Sequence, residues 1–225
     1  MTDLLDQLKS IEEQIEDALW SFEVHDELQK AYDIYLEAEA RLNSIQLGSE
    51  EPAYAEKQRL LAYCLMRQGN LLRQMEKPQE ALKLSECELL AARLSGDEVM
   101  LARSLLSNGT NRVVNGELEQ GLSLIEEARQ LFSNGESYDY IQGLGWCWII
   151  EADLANAGMT HKEPGEVIAI ANRVLELLKP IENWPGVARA YAARAVAFEK
   201  LGNMDAATAD REEQKAYEGR IQHER

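Results

Sequence analysis

Few residue types in this chain can do chemistry, and their spacing decides which chemistry is open to them. The three histidines, His25, His161 and His223, stand far apart, and none has a second His, a Cys or paired acids at ligand spacing. No HExxH run occurs, so neither a zinc site nor metal-assisted hydrolysis is expected. Gly143-Leu144-Gly145 begins like a dinucleotide fingerprint, but no strand pattern precedes it and the third glycine is missing. There is no Walker loop and no GxSxG. Glu12-Glu13 and Glu126-Glu127 are adjacent acids within helical patterning, which fits a solvated face better than an acid–base dyad. Asn108-Gly109-Thr110 matches a glycosylation acceptor without a leader to give it meaning. Cys64, Cys87 and Cys147 form no CxxC and are odd in number, so free thiols in a reducing compartment are expected. Trp146-Cys147-Trp148 places two indoles about 200° apart on a helix; both packing in the core is the expected reading, and one facing out or into a groove as a binding-surface aromatic is the alternative. Neither catalysis nor a cofactor is expected.

Charge narrows the partners. The 225 residues carry a net −17, which argues against nucleic acid and anionic membrane surfaces. Residues 1–50 hold 13 acids and 3 bases, a net of −10; the remaining 27 acids and 20 bases give −7. The start, MTDLLDQLKSIEEQ, is amphipathic and acidic, unlike a signal peptide, and no apolar run reaches membrane-spanning length. These features lead to the expectation of a soluble cytoplasmic protein.

The apolar period is helical throughout. Leu4, Leu8, Ile11, Ile15, Leu19 and Phe22 recur every three or four residues, as do Leu28, Ala31, Tyr32, Tyr35, Ala38, Leu42 and Ile45, and no run alternates at period two. Pro52, Pro78, Pro164 and Pro185 stand where new periodic segments begin, Pro180 closes one, and Ser95-Gly96-Asp97, Asn115-Gly116, Asn134-Gly135 and Gly202-Asn203 supply stops and caps. About ten helices joined by short turns follow.

Small residues then recur at a fixed offset. Gly69 precedes Ala81 by twelve, Gly109 precedes Gly121 by twelve, Ala195 precedes Ala207 by twelve, and Leu19 precedes Ala31 by twelve. The copy at 145–171 is the loosest, with Glu151 at the first small position, Gly158 at the turn and an insertion at THKEPGE. This grammar resembles the tetratricopeptide repeat (TPR) family over about 190 residues, at a spacing of 40 to 50 rather than about 34, as in kinesin light chains and many bacterial regulators. Arg112 stands where an aromatic is usual, and Gln68 and Asn108 where Leu is usual. A HEAT-like helix-pair repeat is the rival. Small facing residues let paired helices approach, and each pair leaves an apolar face that only a neighbour can cover.

The expected fold is therefore all-α: a right-handed α-solenoid of about five helix pairs in a single domain, 1–50, 53–96, 97–134, 137–180 and 185–222. The resemblance implies a non-enzymatic protein–protein interaction scaffold whose first helices line a concave groove. Counting from the small positions puts Tyr63, Arg67, Asn70, Arg73, Arg103, Thr110, Trp148 and Arg189 in that lining, with Leu106, Val113 and Ala152 beside them. The set is basic and apolar, so a peptide or protein segment of acidic and aliphatic character is the expected partner. A sensor for a signalling peptide or small ligand, or an accessory subunit of an enzyme complex, are the alternatives. The acidic first helix could cap the solenoid, mediate a homodimer, or lie against a basic groove in a second copy.

Overall fold

The computed structural model describes residues 2–221; His223 lies outside them. The described residues form ten α-helices: α1 (Thr2–Ser21), α2 (Leu28–Ser44), α3 (Tyr54–Gln74), α4 (Pro78–Ser95), α5 (Glu98–Val114), α6 (Leu118–Phe132), α7 (Tyr138–Asn156), α8 (Pro164–Leu178), α9 (Trp184–Lys200) and α10 (Met204–Ile221). A 3₁₀ turn, Glu23–His25, links α1 to α2, and none of the described residues is in a strand. The fold is an all-α helical repeat of the solenoid class. No helix among the described residues is long and apolar enough to cross a membrane.

Helix ends follow from local chemistry. Pro78 and Pro164 open α4 and α8, where a missing N–H costs nothing, and Pro185 is in the first turn of α9. Pro52 instead occupies a turn two residues ahead of α3. Asp97 caps α5 by accepting from the Met100 N–H at 2.7 Å, and Asn183 caps α9 through the Gly186 N–H at 2.9 Å. Glu163 and Glu166 close a reciprocal capping box on α8, so the THKEPGE insertion ends in a helix cap. Gly96, Gly116, Gly158 and Gly202 turn the chain with positive φ.

Contacts divide the chain into two compact units, residues 1–128 and 129–225, with the division inside α6. In the first unit, Leu8, Ile11, Ile15 and Ala18 of α1 join Ala31, Tyr35, Ala38 and Leu42 of α2 and Leu60, Cys64 and Leu71 of α3 in one buried cluster. In the second, Ile149, Val174, Leu175, Leu178, Val187, Ala190 and Tyr191 form a buried cluster. Trp146 and Trp148 both pack against it, each half-buried.

The small-residue rule holds unevenly. A Cβ on Gly109 would lie 2.7 Å from the Gly121 carbonyl oxygen, and one on Gly121 would lie 2.5 Å from that of Gly109. These two backbones touch, which only glycine permits. Around Gly69, by contrast, nothing lies within 4 Å of an added Cβ. In α7 the close approaches fall at Gly143, against the Phe132 ring, and Gly145, against Leu178. The two glycines that open like a nucleotide fingerprint are thus packing sites in mid-helix.

Candidate functional site

The first helices of the pairs carry the expected lining residues, and in the first unit most of them engage partners within the chain. The acids of α1 and the adjoining turn meet α3 rung by rung. Arg59 donates to Glu12 at 2.6 Å and to Glu56 at 2.7 Å. The Tyr63 hydroxyl donates to Glu16 at 2.8 Å. Arg67 closes on Glu23, which also accepts from the Tyr35 hydroxyl at 2.8 Å. Glu12 and Glu16 of α1 stand one helical turn apart, as do Arg59 and Tyr63 of α3, and Glu23 of the following 3₁₀ turn meets Arg67 one turn further along α3. Burial opposes the charge on Arg67, and Glu23 overrides it, holding the guanidinium protonated above its ordinary range. Burial pushes the Tyr63 phenol up, so it stays a neutral donor.

The acidic first helix therefore neutralises α3 of its own chain. Arg67 is a paired cation with 17% of its side chain exposed, and Glu23 keeps only 9%. Further along α3, Arg73 donates to Asn111 Oδ1 of α5 at 2.9 Å and to Asn70 Oδ1 at 2.6 Å. Arg103 stands near enough to Tyr63 for its charge to be felt there. The Thr110 hydroxyl turns back onto the Leu106 carbonyl of its own helix at 2.7 Å. Leu106 and Val113 are buried rather than lining a surface.

In the second unit Trp148 is half-buried with two guanidinium groups over its ring, Arg129 at 4.5 Å and Arg173 at 4.6 Å from the centroid. Arg129 also donates to Glu151 at 2.7 Å, and Lys162 of the insertion reaches the same carboxylate at 2.9 Å. The Glu151 that stands in the place of a small residue thereby anchors the insertion. Arg189 is the most exposed of the expected set, with 57% of its side chain accessible, and pairs with Asp153 at 3.0 Å. Ala152 is buried.

The departures from the repeat pattern have a common use. Gln68 donates to Glu39 of α2 at 2.8 Å, and Asn108 donates to Ser85 of α4 at 3.0 Å. Arg112 ties Asn108 at 2.9 Å, Gln120 at 3.1 Å and Glu86 at 3.3 Å, and closes on Glu117. Polar side chains thus replace apolar ones where they cross-link adjacent helices. On this side a cleft of about 640 Å³ opens between α4 and α6 over Asn108 and Arg112, with Leu89, Arg93 and Leu124 at its walls.

One group escaped sequence reasoning entirely. Glu88 of α4 is fully buried, accepting from Ser107 at 2.9 Å while its second oxygen has no partner. Burial pushes its carboxyl up to about 8, against the pull of Ser107 and of Arg73. A Glu between Cys87 and Leu89 carries no local sign of its environment. No group of three or more His, Cys, Asp or Glu among the described residues could hold a metal ion.

Comparisons with known proteins define the fold. No protein-family model matches the sequence, and no curated protein is similar to it. Among solved structures, the chain is similar to BtubC (BKLC) from P. vanneervenii, at 14% identity over 97% of this chain and 92% of that one, with a TM-score of 0.57. It is also similar to aspartyl phosphate phosphatase F from Bacillus subtilis, at 10% identity over 94% of this chain and 60% of that one, with a TM-score of 0.55. A kinesin light chain-like protein with TPR-like repeats from Podosopora anserina aligns over 98% of this chain and 97% of that one at 16% identity and a TM-score of 0.49. The chain has the fold of TPR-like helical-repeat proteins.

Proposed function

We propose that the chain is a single helical-repeat interaction module, non-enzymatic, that docks a peptide or partner segment on the first-helix face of its pairs. One observation carries this reading. Tyr63, Arg67, Asn70 and Arg73 recur at i, i+4, i+7 and i+10 on one face of α3, each partly exposed, and Arg73 reaches across to α5. Aromatic, guanidinium and amide groups held on rigid helices are the groups that carry binding energy at interfaces, and rigidity lowers the entropy cost of docking. Arg103 and Thr110 extend the same face on α5, and Trp148 and Arg189 are its counterparts in the second unit. The internal pairing of Arg67 with Glu23 and of Arg189 with Asp153 moderates its basic character. The segment it takes is accordingly aliphatic with few acids, rather than strongly acidic.

The test is position-specific photo-crosslinking in lysate of the source cell. A crosslinking residue at Asn70 or Thr110 is expected to trap a partner chain that the same residue at Leu90, 60% exposed on α4, does not trap. Equal capture from Leu90, or none from Asn70 and Thr110, overturns the reading. Charge reversal at Arg67 is unsuitable, because it would set a carboxylate against the poorly solvated Glu23.

A further inference from the structure

Single apolar side chains on a surface are ordinary, but two on one exposed helical stripe mark a face that something covers. Leu90 and Leu94 of α4 are 60% and 46% exposed. The other large apolar side chains that stay exposed among the described residues lie singly or close to helix ends. The outward positions of α4 are Lys83, Cys87, Leu90 and Leu94, spaced four, three and four. That alternation is the seam of a two-helix contact. Ala81, Ser85, Glu88 and Ala92 on the opposite side are buried, so α4 has a finished core face and a separate outer face.

Charge decides what can approach that stripe. The chain carries a net −17, so two copies repel across most of their surfaces. The exposed charges of α4 are Glu80, Lys83, Glu86 and Arg93, which sum to zero. The sequence of α1, by contrast, holds six acids and one lysine, which makes it a poor face for a second copy. Glu86 and Arg93 stand one heptad apart on the same flank of the stripe. Glu86 keeps 60% of its side chain exposed beside Arg112 at 3.3 Å, and Arg93 stands at the wall of the α4–α6 cleft. Arg93 makes no ion pair among the described residues.

These positions are complementary to themselves under a twofold rotation. Lay two copies of α4 antiparallel, with Leu90 against Cys87 of the second copy. Flanking positions of equal heptad rank then face each other, so Glu86 of each copy meets Arg93 of the other. The same register sets Leu94 on the aliphatic stem of Lys83. A parallel pairing puts Glu86 opposite Ala91 and Arg93 past the end of the facing helix. We propose that the outer face of α4 is a self-association surface, on which a second copy of this chain docks antiparallel through Cys87, Leu90 and Leu94 and two reciprocal Glu86–Arg93 pairs. One helix face covers less area than a standard stable interface, so the dimer is reversible and depends on concentration. The surface lies apart from the docking face on α3 and α5 and does not rest on it. A crosslinker at Leu90 accordingly traps a second copy of this chain, not the segment trapped from Asn70.

Sedimentation equilibrium of the full chain, from about 10 µM to about 1 mM in about 0.15 M NaCl, reads the dimer directly. The mass is expected to climb from 25.4 kDa toward twice that value. Arg93→Glu and Glu86→Lys should each weaken association at least tenfold. An equimolar mixture of the two variants should restore it, because each supplies the charge that the other lacks. Leu90→Glu should abolish association with the helical signal unchanged; if it loses that signal, the charge-swap mixture decides alone. In a Cys87→Ser background, copper-phenanthroline oxidation of the Lys83→Cys/Leu94→Cys variant should link position 83 of one copy to position 94 of the other. Leu94→Cys alone should not link to itself, because antiparallel packing separates the two copies of that position by about 16 Å along the axis. A chain that stays monomeric across the range overturns the surface, as does a dimer that Leu90→Glu and Arg93→Glu leave intact. Self-linkage of Leu94→Cys, or a mixture of charge variants that stays monomeric, overturns the antiparallel register.

Discussion

Glu88 is a fully buried carboxyl beside the Ser107 and Ser104 hydroxyls, accepting from Ser107 at 2.9 Å, and that environment has a thermodynamic cost that depends on pH. Its folded pKa, about 8, lies above the ordinary 4.5. Between those values the folded chain keeps a proton that the unfolded chain releases, so its stabilising contribution is complete below about 4.5 and is lost as pH rises through 8. Urea midpoints measured from pH 5 to 9 should fall with pH for the natural chain and fall less for Glu88→Gln, which keeps a neutral group of the same shape. Parallel curves would place the titration elsewhere. The cysteines divide in the same way. Cys64 is buried, donates to the Tyr35 carbonyl at 3.2 Å, and is pushed up to about 12 by burial, whereas Cys87 is exposed. Brief iodoacetamide treatment of the folded chain, read by mass spectrometry, should label Cys87 and spare Cys64 and Cys147. Arg67→Gln, which leaves Glu23 poorly solvated beside a neutral amide, should lower unfolding free energy by about 3 kcal/mol, the scale for breaking a buried pair.

Between elements, the two glycine positions of equal rank in the repeat should respond in opposite directions. Gly109→Ala drives a methyl into the Gly121 carbonyl and the Ile125 side chain, and overpacking of this kind costs about 1–3 kcal/mol. Gly69→Ala enters open space in mid-helix, where alanine gains about 0.5–1 kcal/mol over glycine. Denaturant melts of the two variants check both; a destabilised Gly69→Ala would mean that α3 and α4 approach more closely than they do here. The α1–α3 ladder belongs to the same scale. Two acids of α1 and one of the following turn meeting three donors on α3 form a register device, because a one-residue slide of α1 along α3 would separate the Glu12–Arg59 and Glu16–Tyr63 rungs.

For the whole chain, a net charge of −17 means that folding gathers like charges. Added salt screens that repulsion, with a Debye length of about 10 Å at 0.1 M. Raising NaCl from about 0.01 M to about 0.2 M should therefore raise the melting temperature measured by circular dichroism. A falling one would show that pairs such as Arg59–Glu12 and Arg194–Asp210 outweigh the general repulsion. The two compact units, 1–128 and 129–225, hold separate cores, so each would carry its own portion of the proposed docking face: Tyr63 to Thr110 in the first, Trp148 and Arg189 in the second.

What the sequence determined by itself is local. Helical periodicity, prolines at first turns, glycines at positive φ and side-chain caps act within a few residues, so the ten helices and the repeat fold were legible from types and spacing alone. The close approach of Gly109 to Gly121 was legible too, because both are glycines at the repeat's offset. What only the tertiary structure decided is which polar groups find one another across long separations. Glu23 meets Arg67 across 44 residues and Glu16 meets Tyr63 across 47, so two residues that read only as groove lining also tie α3 to α1 and the turn that follows it. Glu88 carries no local sign in the sequence and is buried; Gly143 and Gly145 read as noise and are packing sites; Arg73 reads as one arginine among several and is the one on α3 that meets amide oxygens and no carboxylate among the described residues. Each outcome depends on partners and desolvation, and these exist only once distant helices have packed.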